Sequence, residues 1–287
     1  MIDPVDPEEL TAVGAPVQAD LPPDTRMGAV HLTVADLDRS LAYYETQIGL
    51  RVHAHDDGRA QLGTGGEDLL VLTEEPGARP ADGYSGLFHF ALLVPDRIDL
   101  ARWLAHAARD RVSLSGLSDH FVSEAIYLSD PDHHGIEIYA DRPRELWEGQ
   151  VGTRLTTLPL DTDDLLSTLD DSMEPFDGLS VGTVMGHVHL CVAAVEESVN
   201  YYRDVVGFGL MAQLGDQAAF LSAGGYHHHL GGNTWQSAGR PYAPEGHARL
   251  TQLTIVLPDE ASRDALAERI GGAEVRDPSG IPIAVSA

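Results

Sequence analysis

Met27-Gly28-Ala29-Val30-His31-Leu32-Thr33-Val34-Ala35 returns 158 residues later as Met185-Gly186-His187-Val188-His189-Leu190-Cys191-Val192-Ala193. Over residues 27–50, eleven of 24 positions are identical at that offset, including Ser40/Ser198, Tyr43-Tyr44/Tyr201-Tyr202 and Gly49/Gly207. Unrelated segments do not agree at that rate, so the chain carries an internal duplication. Two weaker matches extend it. Leu93-Val94-Pro95-Asp96 corresponds to Val256-Leu257-Pro258-Asp259, and Asp130-Pro131 through Ile138 corresponds to Asp277-Pro278 through Ile283. Each half therefore holds two sub-repeats of roughly 55–60 residues.

Each sub-repeat reads as strand, helix, then strands. Residues 30–34 are β-branched and apolar. Asp36 is an N-cap candidate, and Leu37, Leu41, Tyr44 and Ile48 then recur at helical spacing until Gly49. Strands are expected at 51–55, 60–62 and 68–72, separated by Gly and Asp turns. The second unit predicts a strand at 88–94, a helix over 97–109, and strands at 124–128 and 135–139 around Asp130-Pro131-Asp132-His133-His134. The organisation expected is an acidic, flexible arm at 1–26, a two-module domain at 27–141, a linker at 142–183 with a short helix near 162–169, and a second two-module domain at 184–287.

Composition excludes several chemistries. The net charge is −27, and all eighteen cationic residues are Arg. With no Lys, a Schiff-base, P-loop or general-base lysine is excluded. The negative charge opposes nucleic acid and anionic membrane surfaces as partners. Cys191 is the single cysteine, so neither an internal disulfide nor a Cys-based zinc cage can form. A reducing, cytoplasmic location fits this, and the start of the sequence lacks the basic and apolar segments of a signal peptide. No run of 18 apolar residues is present.

The duplicated units, opened by "VHLTVADLDRSLAYYETQIGL" and closed by "LSDPDHHGIEIYAD", resemble the vicinal oxygen chelate superfamily, which spans glyoxalase I, bleomycin-resistance proteins and extradiol dioxygenases. The four-module layout is most similar to catechol 2,3-dioxygenase-like members. The resemblance implies an α+β fold of four βαβββ modules paired into two open mixed-sheet barrels. The fold alone does not select a reaction, since the same scaffold hosts isomerases, dioxygenases and binders.

Matched residue by residue, the resemblance implies metal ligands at His31, His89 and Glu137. Two imidazoles and a carboxylate are the usual set for non-haem Fe(II), with Mn, Zn or Ni as alternatives. It also implies a substrate-contacting Tyr127, ten residues before Glu137, and an outer-sphere His120, seven before Tyr127. The spacing of His120 is two residues shorter than the family pattern. An acid/base His near the last strand of the first module is missing from Leu69-Leu70-Val71-Leu72-Thr73-Glu74-Glu75.

The C-terminal half departs further. His189 matches His31, but Gln252 stands for His89 and Pro282 for Glu137, so its site is expected to be degenerate. His227-His228-His229, read as part of the third module's last strand, offers an alternative site with His189; alternation would send His227 and His229 to one face. The leading expectation is a Fe(II) extradiol-type ring-cleaving dioxygenase acting on a catecholic or other vicinal-oxygen small molecule. The alternatives are a glyoxalase-like lyase or isomerase and a non-catalytic small-molecule-binding resistance protein. Homo-oligomerisation is left open.

Overall fold

The computed structural model describes residues 18–170 and 176–287. Most of the acidic arm expected at 1–26 lies outside them. The first module runs β1 (Val30–Val34), α1 (Leu37–Tyr43), β2 (Arg51–Asp56), β3 (Arg59–Gly63) and β4 (Asp68–Glu74). The second runs β5 (Gly86–Leu93), α2 (Arg97–Asp110), β6 (Gly116–Asp119), β7 (Ser123–Ser129) and β8 (Gly135–Asp141). After the short α3 (Thr162–Leu166), the third holds β9 (Val184–Cys191), α4 (Val195–Asn200), β10 (Gly209–Leu214), β11 (Ala218–Ser222) and β12 (Leu230–Asn233). The fourth holds β13 (Leu250–Val256), α5 (Glu260–Ile270), β14 (Glu274–Arg276) and β15 (Pro282–Ser286).

Local chemistry sets these boundaries. Asp36 is extended and accepts from the Arg39 N–H, which starts α1, while Gly49 at φ 90° stops the helical segment. Asp96 caps α2 in the same way through the Asp99 N–H. Leu100, Ala101, Trp103, Leu104 and Ala107 then form its buried stripe. The Trp103 indole is fully buried and donates to the Ile48 carbonyl at 3.0 Å, tying the second helix to the end of the first.

The fold is α+β, and its two large sheets are mixed and curled into open half-barrels. One runs β14-β15-β13-β1-β4-β3-β2; the other runs β6-β7-β8-β5-β9-β12-β11-β10, with Leu158–Pro159 added beyond β6. The first module thus shares a sheet with the fourth, and the second with the third. Sequence order suggested that each half closes its own barrel; the strands cross instead. In each module the first strand is paired on one side only by its own last strand, as β8 pairs β5 and β12 pairs β9, both parallel. An open first-strand edge needs a cover. The antiparallel pairs β5·β9 and β1·β13 supply it across the halves. The helices join the modules the other way. The Tyr44 hydroxyl donates to Asp130 at 2.9 Å and the Tyr202 hydroxyl to Asp277 at 3.1 Å, the same contact in both halves.

Outward faces of the strands pack on the helices. Val30, Leu32 and Val34 of β1, and Phe90 and Leu92 of β5, belong to one apolar cluster with Trp103 and Tyr44. The alternate residues face the concave side of each sheet, and the polar chemistry collects there.

Candidate metal centre

On β8, Glu137, Tyr139 and Asp141 fall on the concave face by alternation. On the adjoining β5, His89 does the same. Gly135 and His89 are register partners, and a Cβ on Gly135 would lie 2.1 Å from the Phe88 carbonyl oxygen and 3.0 Å from His89 Cβ. Only glycine lets β8 and β5 approach this closely where Glu137 must meet His89. The third side chain comes from β9 in the other half: His187, opposite Ala91. Gly186 before it is equally constrained, since an added Cβ would fall 1.9 Å from the Tyr139 hydroxyl.

Three atoms converge. Glu137 Oε2 lies 3.1 Å from His89 Nε2 and 3.0 Å from His187 Nε2, and the two nitrogens are 3.4 Å apart. The three residues are 2%, 5% and 1% exposed. Among the described residues they form the group of His, Cys, Asp and Glu side chains arranged to hold an ion. Metal–ligand bonds of about 2.1 Å at roughly right angles put neighbouring ligand atoms about 3.0 Å apart, so these separations suit one face of a coordination sphere.

The electrostatics agree with that donor set. Burial would raise the Glu137 carboxyl, but His187 and His89 beside it hold it well below the usual carboxylate range. Burial lowers His187, with Glu137 opposing. Glu137 held as carboxylate and His187 pushed toward its neutral form suit a divalent cation, which takes carboxylate and neutral imidazole as ligands. A buried carboxylate without a full counter-charge costs several kcal/mol, which a cation here would relieve. His187 Nδ1 has no hydrogen-bond partner among the described residues. Its ring is instead oriented by packing between Tyr139 and His228, with centroids at 4.9 and 4.1 Å.

The three residues line a pocket walled by Val122, Leu155, Leu214 and Phe220. His120 and Tyr127 also line it. His120 Nδ1 meets the Thr156 carbonyl at 3.0 Å, and its Nε2 meets the Tyr127 hydroxyl at 2.7 Å. The carbonyl can only accept, so a neutral His120 carries its proton on Nδ1 and accepts from the tyrosine. Thr156 belongs to the stretch read as a linker, which here forms part of the pocket wall.

Of the ligand residues expected from sequence, the structure brings His89 and Glu137 together and adds His187. His31 lies on the other sheet, paired with Gln252 and 3.4 Å from its amide nitrogen. Burial, then the nearby Arg59, lower its imidazole to about 4. The register explains the difference: His31 matches His189, whereas the imidazole that meets His89 and Glu137 stands two residues earlier, where the first module has Ala29. His189 is buried against Phe88 and Trp235 and lines the pocket without joining the three ligand atoms.

The histidine run precedes β12 rather than lying within it. His228 lines the pocket, His227 bonds Asp141, and His229 Nδ1 accepts from the Ala223 N–H. The three rings thus take three separate roles instead of strand alternation. His228 supplies an imidazole at the pocket that reading the first module alone did not find. Burial, then His187 and His227, hold it well below its ordinary range.

Comparison with known proteins follows the same lines. The family model described as Glyoxalase/Bleomycin resistance protein/Dioxygenase superfamily matches residues 26–138. A Bacillus subtilis (strain 168) protein named catechol-2,3-dioxygenase is 40% identical over 253 residues, covering 86% of this chain and 88% of its own length. A solved structure from Bacillus subtilis subsp. subtilis str. 168 aligns with a TM-score of 0.59 at 16% identity, over 91% of this chain and 86% of that one. Glyoxalase I from Zea mays aligns with a TM-score of 0.53 at 19% identity, over 91% and 92%. At those identities the two structures speak to the fold alone.

Proposed function

The chain belongs to the Glyoxalase/Bleomycin resistance protein/Dioxygenase superfamily, and on that premise we propose that it is a non-haem Fe(II) extradiol-type dioxygenase that opens the ring of a catecholic small molecule. The observation that carries this reading is the convergence of His89 Nε2, His187 Nε2 and Glu137 Oε2 within 3.0–3.4 Å at an apolar pocket. The name of the 40% identical relative supports it. Bound there, iron would supply Lewis acidity to the catechol hydroxyls and a path for electrons between substrate and O₂.

The chain's own residues do the rest. Val122, Leu155, Leu214 and Phe220 receive the aromatic ring and keep water from it. Tyr127, with its proton directed to His120, is placed to hydrogen-bond a substrate oxygen. His228, an imidazole on the pocket wall, is the group placed to receive the proton that a catechol hydroxyl must lose. A dioxygenase places both atoms of O₂ in its product, so no external reductant is needed.

The test is anaerobic loading with Fe(II), addition of a 4-substituted catechol, then air. A yellow ring-opened product, or at least a catecholate charge-transfer band, is expected. Absence of both, with iron bound, would overturn the assignment in favour of a lyase or a binder.

A further inference from the structure

His227 is used neither as a ligand nor as a pocket wall, yet it is fully buried. Its Nε2 lies 2.9 Å from Asp141 Oδ1 and its Nδ1 lies 2.8 Å from His228 Nδ1. Asp141 is on the concave face of β8, four residues after Glu137, and its side chain is 24% exposed. A hydrogen-bonded chain therefore runs from a solvent-touching carboxylate, through a buried ring, to the imidazole at the pocket.

The order of donors in this chain follows from inventory. A carboxylate only accepts, and a neutral imidazole carries one proton. Facing Asp141, His227 places its proton on Nε2 and keeps a lone pair on Nδ1. Two imidazoles meeting Nδ1 to Nδ1 need one donor between them, and that donor must then be His228. We propose that Asp141 and His227 are positioning residues that fix His228 as the Nδ1–H tautomer, leaving Nε2 as the acceptor toward the pocket. The inference rests on the pocket being the reaction site proposed above.

The surroundings hold this chain rigid. Arg144 donates to the Gly224 carbonyl at 2.6 Å, clamping the turn before the histidine run. The His227 ring stacks against Tyr226, with centroids 3.9 Å apart, and edges onto Trp147 at 5.6 Å. The Tyr226 hydroxyl meets the Tyr139 hydroxyl at 2.7 Å. Asp141 as a carboxylate offers His227 only acceptor oxygens, so the ring must donate. Asn at this position can offer its NH₂ to His227 Nε2, so that His227 carries its proton on Nδ1 and the chain reverses.

The experiment is ¹⁵N-histidine NMR of the full-length, zinc-loaded protein, reading tautomers from long-range couplings and assigning His228 by its loss in His228→Gln. The expected result is His228 protonated on Nδ1 and bare on Nε2. In Asp141→Asn, and in His227→Phe, which keeps the ring volume, His228 should move to Nε2–H while zinc stoichiometry and circular dichroism stay unchanged. With iron, Asp141→Asn should lower kcat about tenfold to a hundredfold at similar KM, part of the 10²–10⁴ range of acid–base catalysis. Wild-type His228 carrying its proton on Nε2, or a His228 signal that neither variant alters, overturns the proposal. Expected tautomers without ring cleavage would sink the dioxygenase reading and leave the positioning role intact.

Discussion

His187 Nε2 sits 3.0 Å from Glu137 Oε2, although 50 residues and the whole linker separate them in sequence. The contact exists because β9 lies antiparallel to β5, so one half of the chain completes a site begun in the other.

Metal content should follow this geometry. Outer-shell changes cost roughly 10–100-fold in affinity, and loss of a direct ligand should exceed that. Glu137→Ala and His187→Ala are therefore expected to lose nearly all iron by elemental analysis, while His31→Ala and Pro282→Ala retain it. Iron retained by His187→Ala but lost from His31→Ala would transfer the site to the first module.

Tyr127→Phe keeps the ring on β7 and removes only the hydroxyl bonded to His120. Iron should stay bound. Turnover of catechol should fall by about ten- to a thousandfold, within reach of losing one proton-handling group. Equal kcat/KM in stopped-flow comparison with wild type would remove Tyr127 from the chemistry.

Gly135→Ala tests how the strands bring ligands together. Overpacking costs about 1–3 kcal/mol, and a clash with the Phe88 carbonyl belongs at the upper end. A lower Tm and weaker metal binding are expected together, because Glu137 lies two residues on. Gly66→Ala, with nothing within 4 Å of its added carbon, is the control. The idea fails should Gly135→Ala match Gly66→Ala in both measurements.

Asp277 gives a pH signature. Burial lifts its carboxyl to about 6, against hydrogen bonds from Ile281 N–H and the Tyr202 hydroxyl. The folded state then holds the proton more tightly than the unfolded chain. Its favourable contribution is complete below the ordinary carboxylate value and is lost as pH rises through about 6. Asp277→Asn lacks that loss, so its stability relative to wild type should grow by about 2 kcal/mol between pH 4 and 7. Urea midpoints measured across that range, with a constant gap between the two proteins, would contradict this.

Much of the fold was legible because duplication multiplied weak signals. Asp36 marked a helix start, and Gly49 a helix end, where the structure has them. His89 and Glu137 could be placed by their positions on a module's first and last strands. His187 could not. The repeat aligned it with Ala29, and the aligned imidazole, His189, drew the match two residues downstream. Which modules share a sheet is decided by which first-strand edges meet, and that information lies in three-dimensional packing rather than in local pattern. The same crossing explains why His228, read only as part of an alternative site with His189, was not connected to the pocket of His89 and Glu137. An acid/base imidazole is expected at the end of the first module, but the segment that brings one to this pocket is the loop before β12 in the third.

The division of ligands between β5, β8 and β9 also sets a clock on biosynthesis. A nascent chain that has emerged only through Asp141 displays His89 and Glu137 but has no second imidazole from β9. The three side chains cannot converge until residues beyond Cys191 have left the ribosome and β9 has docked on β5. A prematurely terminated product is thus born without the complete trio of side chains, which only a chain translated into its second half can assemble.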